Sequence, residues 1–161
     1  MSMAPQTLDH AGIAARIPHS DTMCLLDSVL GWSAEDIRCR IVNHAELSHP
    51  LRTSSGLLSV CAIEYAAQAM ALHGALCSSA ETPPRQGALA SARSVRLRVQ
   101  RLDDTAGPLQ VCAMLIGSDP QQALYRFELS DAAGHVLVDG RAAVVLDRVL
   151  DGRRSAAGGH P

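Results

Sequence analysis

The sequence predicts an α+β fold in which an antiparallel sheet of about five or six strands wraps one long central helix. Three observations predict it. Gly56–Cys77 (GLLSVCAIEYAAQAMALHGALC) holds no Pro and is rich in Ala, Leu, Met and Gln, a composition that favours helix. That stretch is apolar nearly all the way round, so it has no solvated face and must be wrapped. The segments on either side alternate apolar with polar residues and are joined by short turns, which makes antiparallel neighbours.

Taken in order, Leu8–Ile17 (LDHAGIAARI) reads as a short helix that Thr7 or Asp9 can cap. Pro18 excludes its continuation, so Ile17–Asp21 is an irregular loop. Met23–Leu30 reads as a strand, Ser33–Asp36 as a turn, and Ile37–Asn43 as a half-buried strand. His44–Ser55 is a polar loop whose terminal Thr-Ser-Ser can cap the long helix. After that helix, residues 78–87 (SSAETPPRQG) form a linker with two prolines. Strands follow at Leu89–Val99, Leu109–Ile116, Ala123–Ser130 and His135–Leu146, the last two joined by the hairpin turn Asp131–Gly134. Residues 1–150 form one domain, and 151–161 (DGRRSAAGGHP) a disordered tail.

Composition narrows the function. A net charge of −2 and aromatics at 2% give neither the field nor the stacking platforms that nucleic acid requires. All the basic residues are Arg, so lysine Schiff-base chemistry is excluded. The N-terminus lacks a continuous apolar segment, so no signal peptide is expected. Glu64, Gln68 and His73 inside the long helix, with no flanking Arg clusters, argue against a membrane span. Cys24, Cys39, Cys61, Cys77 and Cys112 match no zinc spacing, and reduced thiols in a cytoplasmic setting are expected. His44 and His49 lack an obvious third ligand for a metal.

The residue that asks for an explanation is Glu64. Burying a carboxylate among Ala62, Ile63, Ala66 and Ala67 is costly, and it favours the neutral, proton-donating form. Gln68, one turn on, can orient it. Backbone N–H groups over Gly56–Ser59 can face a developing oxyanion. His19, in the loop stiffened by Pro18, and His49 both lie in loops ahead of the helix, and either can serve as a base. His73 reads as a helix-end or core residue. Arg96 and Arg98 share one strand face, with Arg93 and Arg101 near, and can bind an anionic partner.

Two segments carry a resemblance. Pro18-His19-Ser20-Asp21-Thr22-Met23-Cys24-Leu25-Leu26-Asp27 is similar to PHxxPxLLxD, and Val60–Ala69 (VCAIEYAAQA) is similar to the helix motif IEAxAQA. Together, in this order and spacing, they resemble the hot-dog fold dehydratases acting on 3-hydroxyacyl-acyl carrier proteins. They look closest to the dehydratase-like proteins of aryl polyene and related polyketide-type clusters, over roughly residues 13–147. The resemblance implies a hot-dog fold and dehydration of a 3-hydroxyacyl thioester to a trans-2-enoyl thioester. It implies a His base, a Glu acid at Glu64, and no cofactor beyond the phosphopantetheine that carries the substrate. The partners it implies are an acyl carrier protein and a second hot-dog subunit, in a homodimer or a heterodimer. The family's GHFP loop is absent; Ser48-His49-Pro50 stands nearest to it, and Thr53–Gly56 stands where the family has Pro-Gly. A hot-dog thioesterase with Glu64 activating water, a non-catalytic partner of an active subunit, and a simple acyl-binding module are the competing readings.

Overall fold

The structure is a computed structural model that describes residues 7–17, 23–78 and 87–146. The N-terminal helix α1 (His10–Ala14) is capped by Asp9, whose carboxylate accepts the Gly12 N–H at 2.8 Å. Then come β1 (Ser28–Trp32), β2 (Asp36–Ile41), the long helix α2 (Ala62–Leu76), β3 (Gly87–Leu97), β4 (Leu109–Ser118), β5 (Gln122–Ser130) and β6 (Val136–Leu146). The six strands form one sheet in the order β1-β2-β4-β5-β6-β3, antiparallel throughout.

The long helix lies against one face of this sheet, in the hot-dog arrangement. Ala62, Tyr65, Ala66, Ala69, Met70 and Leu72 are all buried on α2. The alanines among them let the helix backbone approach the inward row Val111, Ala113, Phe127 and Leu129 of β4 and β5. His73 is buried at the helix end, where Nε2–H donates to the Ser33 carbonyl and Nδ1 accepts from the Tyr125 hydroxyl, each at 2.9 Å. It is the core residue the sequence suggested, tying the β1–β2 turn to the helix.

Several element boundaries differ from the sequence reading: α1 spans His10–Ala14 rather than Leu8–Ile17, and β3 spans Gly87–Leu97 rather than Leu89–Val99. Regular strand β1 starts at Ser28 rather than Met23, because residues 23–25 are drawn to the helix instead. Strand β2 ends at Ile41. The helix begins later than Gly56: Leu57 and Leu58 stay extended beside residues 100–102, with Leu102 N–H to Leu57 O at 2.8 Å and Ser59 N–H to Gln100 O at 2.9 Å. A single 3₁₀ turn at Ser59–Cys61 then leads into α2. Most of the proline-containing linker and the whole C-terminal tail lie outside the described residues.

Strand β3 is an edge, and its inward side is poorly covered. Leu89 and Leu97 pair with the inward residues Val144 and Val138, yet they are 40% and 49% exposed. Among the described residues no helix is long and apolar enough to cross a membrane.

Candidate active site

Glu64 stands in the first turn of α2 and is half-buried in the single chain, not enclosed as the sequence suggested. Gln68, one turn on and fully buried, holds the surroundings together. Its side-chain oxygen accepts the Leu25 N–H at 2.9 Å; its amide nitrogen donates to the Met23 carbonyl at 2.6 Å and to Glu64 Oε1 at 3.4 Å. One amide thus joins the two sequence motifs. It pins the Met23–Leu25 stretch, which lies four residues on in sequence from His19, beside the helix carboxylate. His19 itself lies outside the described residues.

His49 is described, and both of its ring nitrogens are engaged within the chain. Its Nδ1 accepts the Leu51 N–H at 3.1 Å, so Nε2 carries the proton and donates to the Tyr65 hydroxyl at 2.8 Å. Tyr65 in turn donates to Asn43 Oδ1 at 2.7 Å. With both ring nitrogens engaged and the ring buried, His49 has no lone pair to offer a substrate. Burial also pushes its pKa below the usual 6.5, which matches the neutral tautomer that these bonds require. Sequence reasoning missed Tyr65 and Asn43. The available signal was a lone Tyr in an apolar helix, whose hydroxyl must find a partner when buried.

Gly56 does not act through its N–H, which donates to Thr53 O at 2.9 Å. The residue is needed for shape: it has φ +94°, and a Cβ there would lie 2.6 Å from Arg101 Nε and 2.7 Å from Asp103 Oδ1. The expected row of oxyanion donors is likewise mostly spent. Leu57 N–H donates to Asp103 Oδ1 at 3.0 Å and Ser59 N–H to Gln100 O. Of the four, Leu58 N–H alone has no acceptor among the described residues. Asp103, which reads from sequence as a simple turn residue, anchors this whole approach to the helix. Arg101 meets it through two nitrogens at 2.6 and 3.1 Å, Arg52 reaches it at 3.3 Å, and the Arg101 hydrogen bonds hold its carboxyl well below the usual carboxylate range.

An apolar cleft opens between the helix start and the end of β3, lined by Leu58, Val60, Leu97 and Val99, with Arg98 at its rim. Arg96 and Arg98 lie together, as expected, on the side of β3 that faces away from the helix. Arg98 pairs with Asp139 at 2.7 Å, and Arg96 sits directly opposite that same residue.

A helix carboxylate is thus linked through a buried amide to the segment that carries the first motif. The model of the ApeP dehydratase family matches residues 11–151. The chain belongs to the ApeP-like dehydratase family. Solved structures similar to this ApeP-like chain share its fold. "The Dehydratase Heterocomplex ApeI:P from Xenorhabdus doucetiae" matches at 23% identity and TM-score 0.75, over 92% of this chain and 94% of that one. The thioesterase HI1161 from Haemophilus influenzae matches at 11% identity and TM-score 0.65, over 92% and 97%. A mutant of the thioesterase PA1618 from Pseudomonas aeruginosa matches at 17% identity and TM-score 0.59, over 88% and 95%. No curated protein sequence matches the chain.

Proposed function

We propose that this chain is a hot-dog subunit that dehydrates 3-hydroxyacyl thioesters carried on an acyl carrier protein. The observation that carries the reading is the Gln68 amide, which bonds Met23 and Leu25 of the first motif and Glu64 of the second. In the reaction a base takes the proton from carbon 2, the carbon 2–carbon 3 double bond forms, and the carbon 3 oxygen leaves as water after protonation by an acid. Glu64 is the acid. His19 is the base, since His49 has both nitrogens committed elsewhere. The thioester oxygen, gaining charge as the proton leaves, is assigned to the Leu58 N–H, the one of the four donors with no acceptor among the described residues, and Leu58 also lines the apolar cleft. No metal or organic cofactor enters these steps.

The chain works beside a second hot-dog subunit. Among the described residues β3 has no neighbour on its outer edge, and Leu89 and Leu97 are partly exposed on its inward side. A strand added there extends the sheet and closes the cleft. The similarity to a structure described as a dehydratase heterocomplex favours a different hot-dog chain over a second copy.

The test is an assay with 3-hydroxyacyl carrier protein, using the chain alone and with its partner subunit, and following loss of water by mass. Glu64→Ala and His19→Ala should each abolish turnover. Release of free carrier thiol without water loss would identify a thioesterase instead. A mixed complex that keeps full activity with Glu64→Ala in this chain would make it a non-catalytic partner.

A further inference from the structure

We propose that the face of β5, β6 and β3 turned away from the helix is the docking surface for an acidic carrier protein. This rests on the carrier-bound substrate proposed above and assigns the place where the carrier sits. The central observation is one rung of the sheet. Arg126 on β5 is directly opposite Arg141 on β6, and Arg141 is directly opposite Arg93 on β3. Three guanidinium side chains in register on adjacent strands repel one another. Among the described residues none of the three has an ion pair.

The next rung adds to this. Arg96 is opposite Asp139, which is opposite Glu128, and Arg98 bonds Asp139 from one side. Arg93 and Arg96 are three residues apart, so a regular strand would point them to opposite faces. A β-bulge at Ser94, with φ +52°, inserts one residue and brings both arginines to the outer face. Five arginines therefore stand against two carboxylates on this face, in a chain whose net charge is −2.

On its other side the arginine rung borders an apolar strip. Ile116, Leu124 and Val145 are 52%, 42% and 44% exposed, and Leu124 is opposite Ala143. Ile116 and Leu124 of the strip and Arg93 and Arg141 of the rung line one groove of about 500 Å³. An apolar row beside a basic row complements a helix that presents carboxylates along one side and aliphatic residues along the next. That is the chemistry of an acidic carrier protein rather than of nucleic acid, which calls for aromatic platforms; Tyr125 and Phe127 of these strands are buried. Arg98 also rims the apolar cleft, so a carrier seated here lies alongside β3 and the entrance that its thioester must reach.

The experiment is calorimetric titration of an acidic acyl carrier protein lacking a thioester, into the chain together with any partner subunit that co-purifies. The comparison is between wild type, the double variant Arg126→Glu/Arg141→Glu, Arg93→Ser and Leu124→Ser. The double variant should weaken binding by at least about tenfold and flatten its salt dependence, with each variant's melting midpoint recorded beside its affinity. The two single variants should weaken binding by several-fold, which keeps the test decisive if the double variant folds poorly. Carrier affinity that is unchanged across all variants would overturn the docking surface while leaving the carrier-bound substrate standing. No carrier binding by wild type would overturn both. An oligonucleotide that binds this face and displaces the carrier would reassign the surface to nucleic acid.

Discussion

Replacing Gln68 with Met tests the junction on which the candidate site depends. The substitution keeps length and volume but removes every polar atom, so the packing of a fully buried position changes little. What is lost is the acceptor for Leu25 N–H at 2.9 Å and the donor to Met23 O at 2.6 Å. Met23 is half-buried, and its carbonyl can turn to water at small cost; Leu25 is buried, and its N–H cannot. Leaving one buried donor unsatisfied costs roughly 1–3 kcal/mol. At about 2–4 °C per kcal/mol for a chain of this size, the melting midpoint should fall by roughly 2–12 °C. Amide exchange at Leu25 should quicken by about tenfold or more, since each ~1.4 kcal/mol is a factor of ten. Turnover should drop by on the order of 10–100-fold in kcat with KM held, because Glu64 and the loop motif lose their shared anchor. Scanning calorimetry, exchange mass spectrometry and the dehydration assay read the three effects. Unchanged Leu25 protection together with an unchanged midpoint would refute the reasoning, whatever happened to activity.

Two further outcomes follow from the same network of contacts. Gly56→Ala places a methyl within 2.6–2.8 Å of the Arg101 and Asp103 side chains at a backbone φ of +94°, and should cost about 1–3 kcal/mol, measured by urea denaturation. A variant as stable as wild type would show that the Arg101–Asp103 pair does not hold this turn. The buried His49 ring, with its pKa below the usual 6.5, stays neutral in the folded chain while it protonates in the unfolded one. The contribution is therefore complete above pH ~6.5 and is lost as pH falls through the folded value. The midpoint should decline as pH is lowered from 7 to 5, and the decline should shrink in His49→Gln. The lowered carboxyls of Asp103 and Asp131 act only below their usual 3.8, outside that window. An equal pH slope in the variant would assign the effect to another group.

Much of the fold could be read along the chain because local pattern and tertiary role coincide. The alternation in β4, β5 and β6 survives within a residue or two, and the apolar stretch around Glu64 is the buried helix. Boundaries failed where distant segments compete for the same backbone. Leu57 and Leu58 have helix-compatible side chains, but residues 100–102 hold them extended. Met23–Leu25 looks like strand, but the Gln68 amide claims it. Among site residues, Glu64 and Gln68 were legible because polar groups in an apolar helix are costly and must be answered. Asp103 was not: two adjacent aspartates in a turn look alike in sequence, and only packing makes one of them the partner of Arg101, Arg52 and Leu57.

Periodicity, composition and the two motifs by themselves determined that a long apolar helix would be wrapped by an antiparallel sheet, and that a carboxyl group would sit within it. These are properties of neighbours along the chain, where 3.6- and 2-residue periods decide which side chains share a face. Only the tertiary structure decided that His49 spends both nitrogens internally, that the backbone donors ahead of the helix are mostly used, and that Arg126, Arg141 and Arg93 stand in one rung. Those facts depend on register between strands far apart in sequence and on one bulge at Ser94. A one-residue slip in either would leave every local pattern intact and move the arginines to another face.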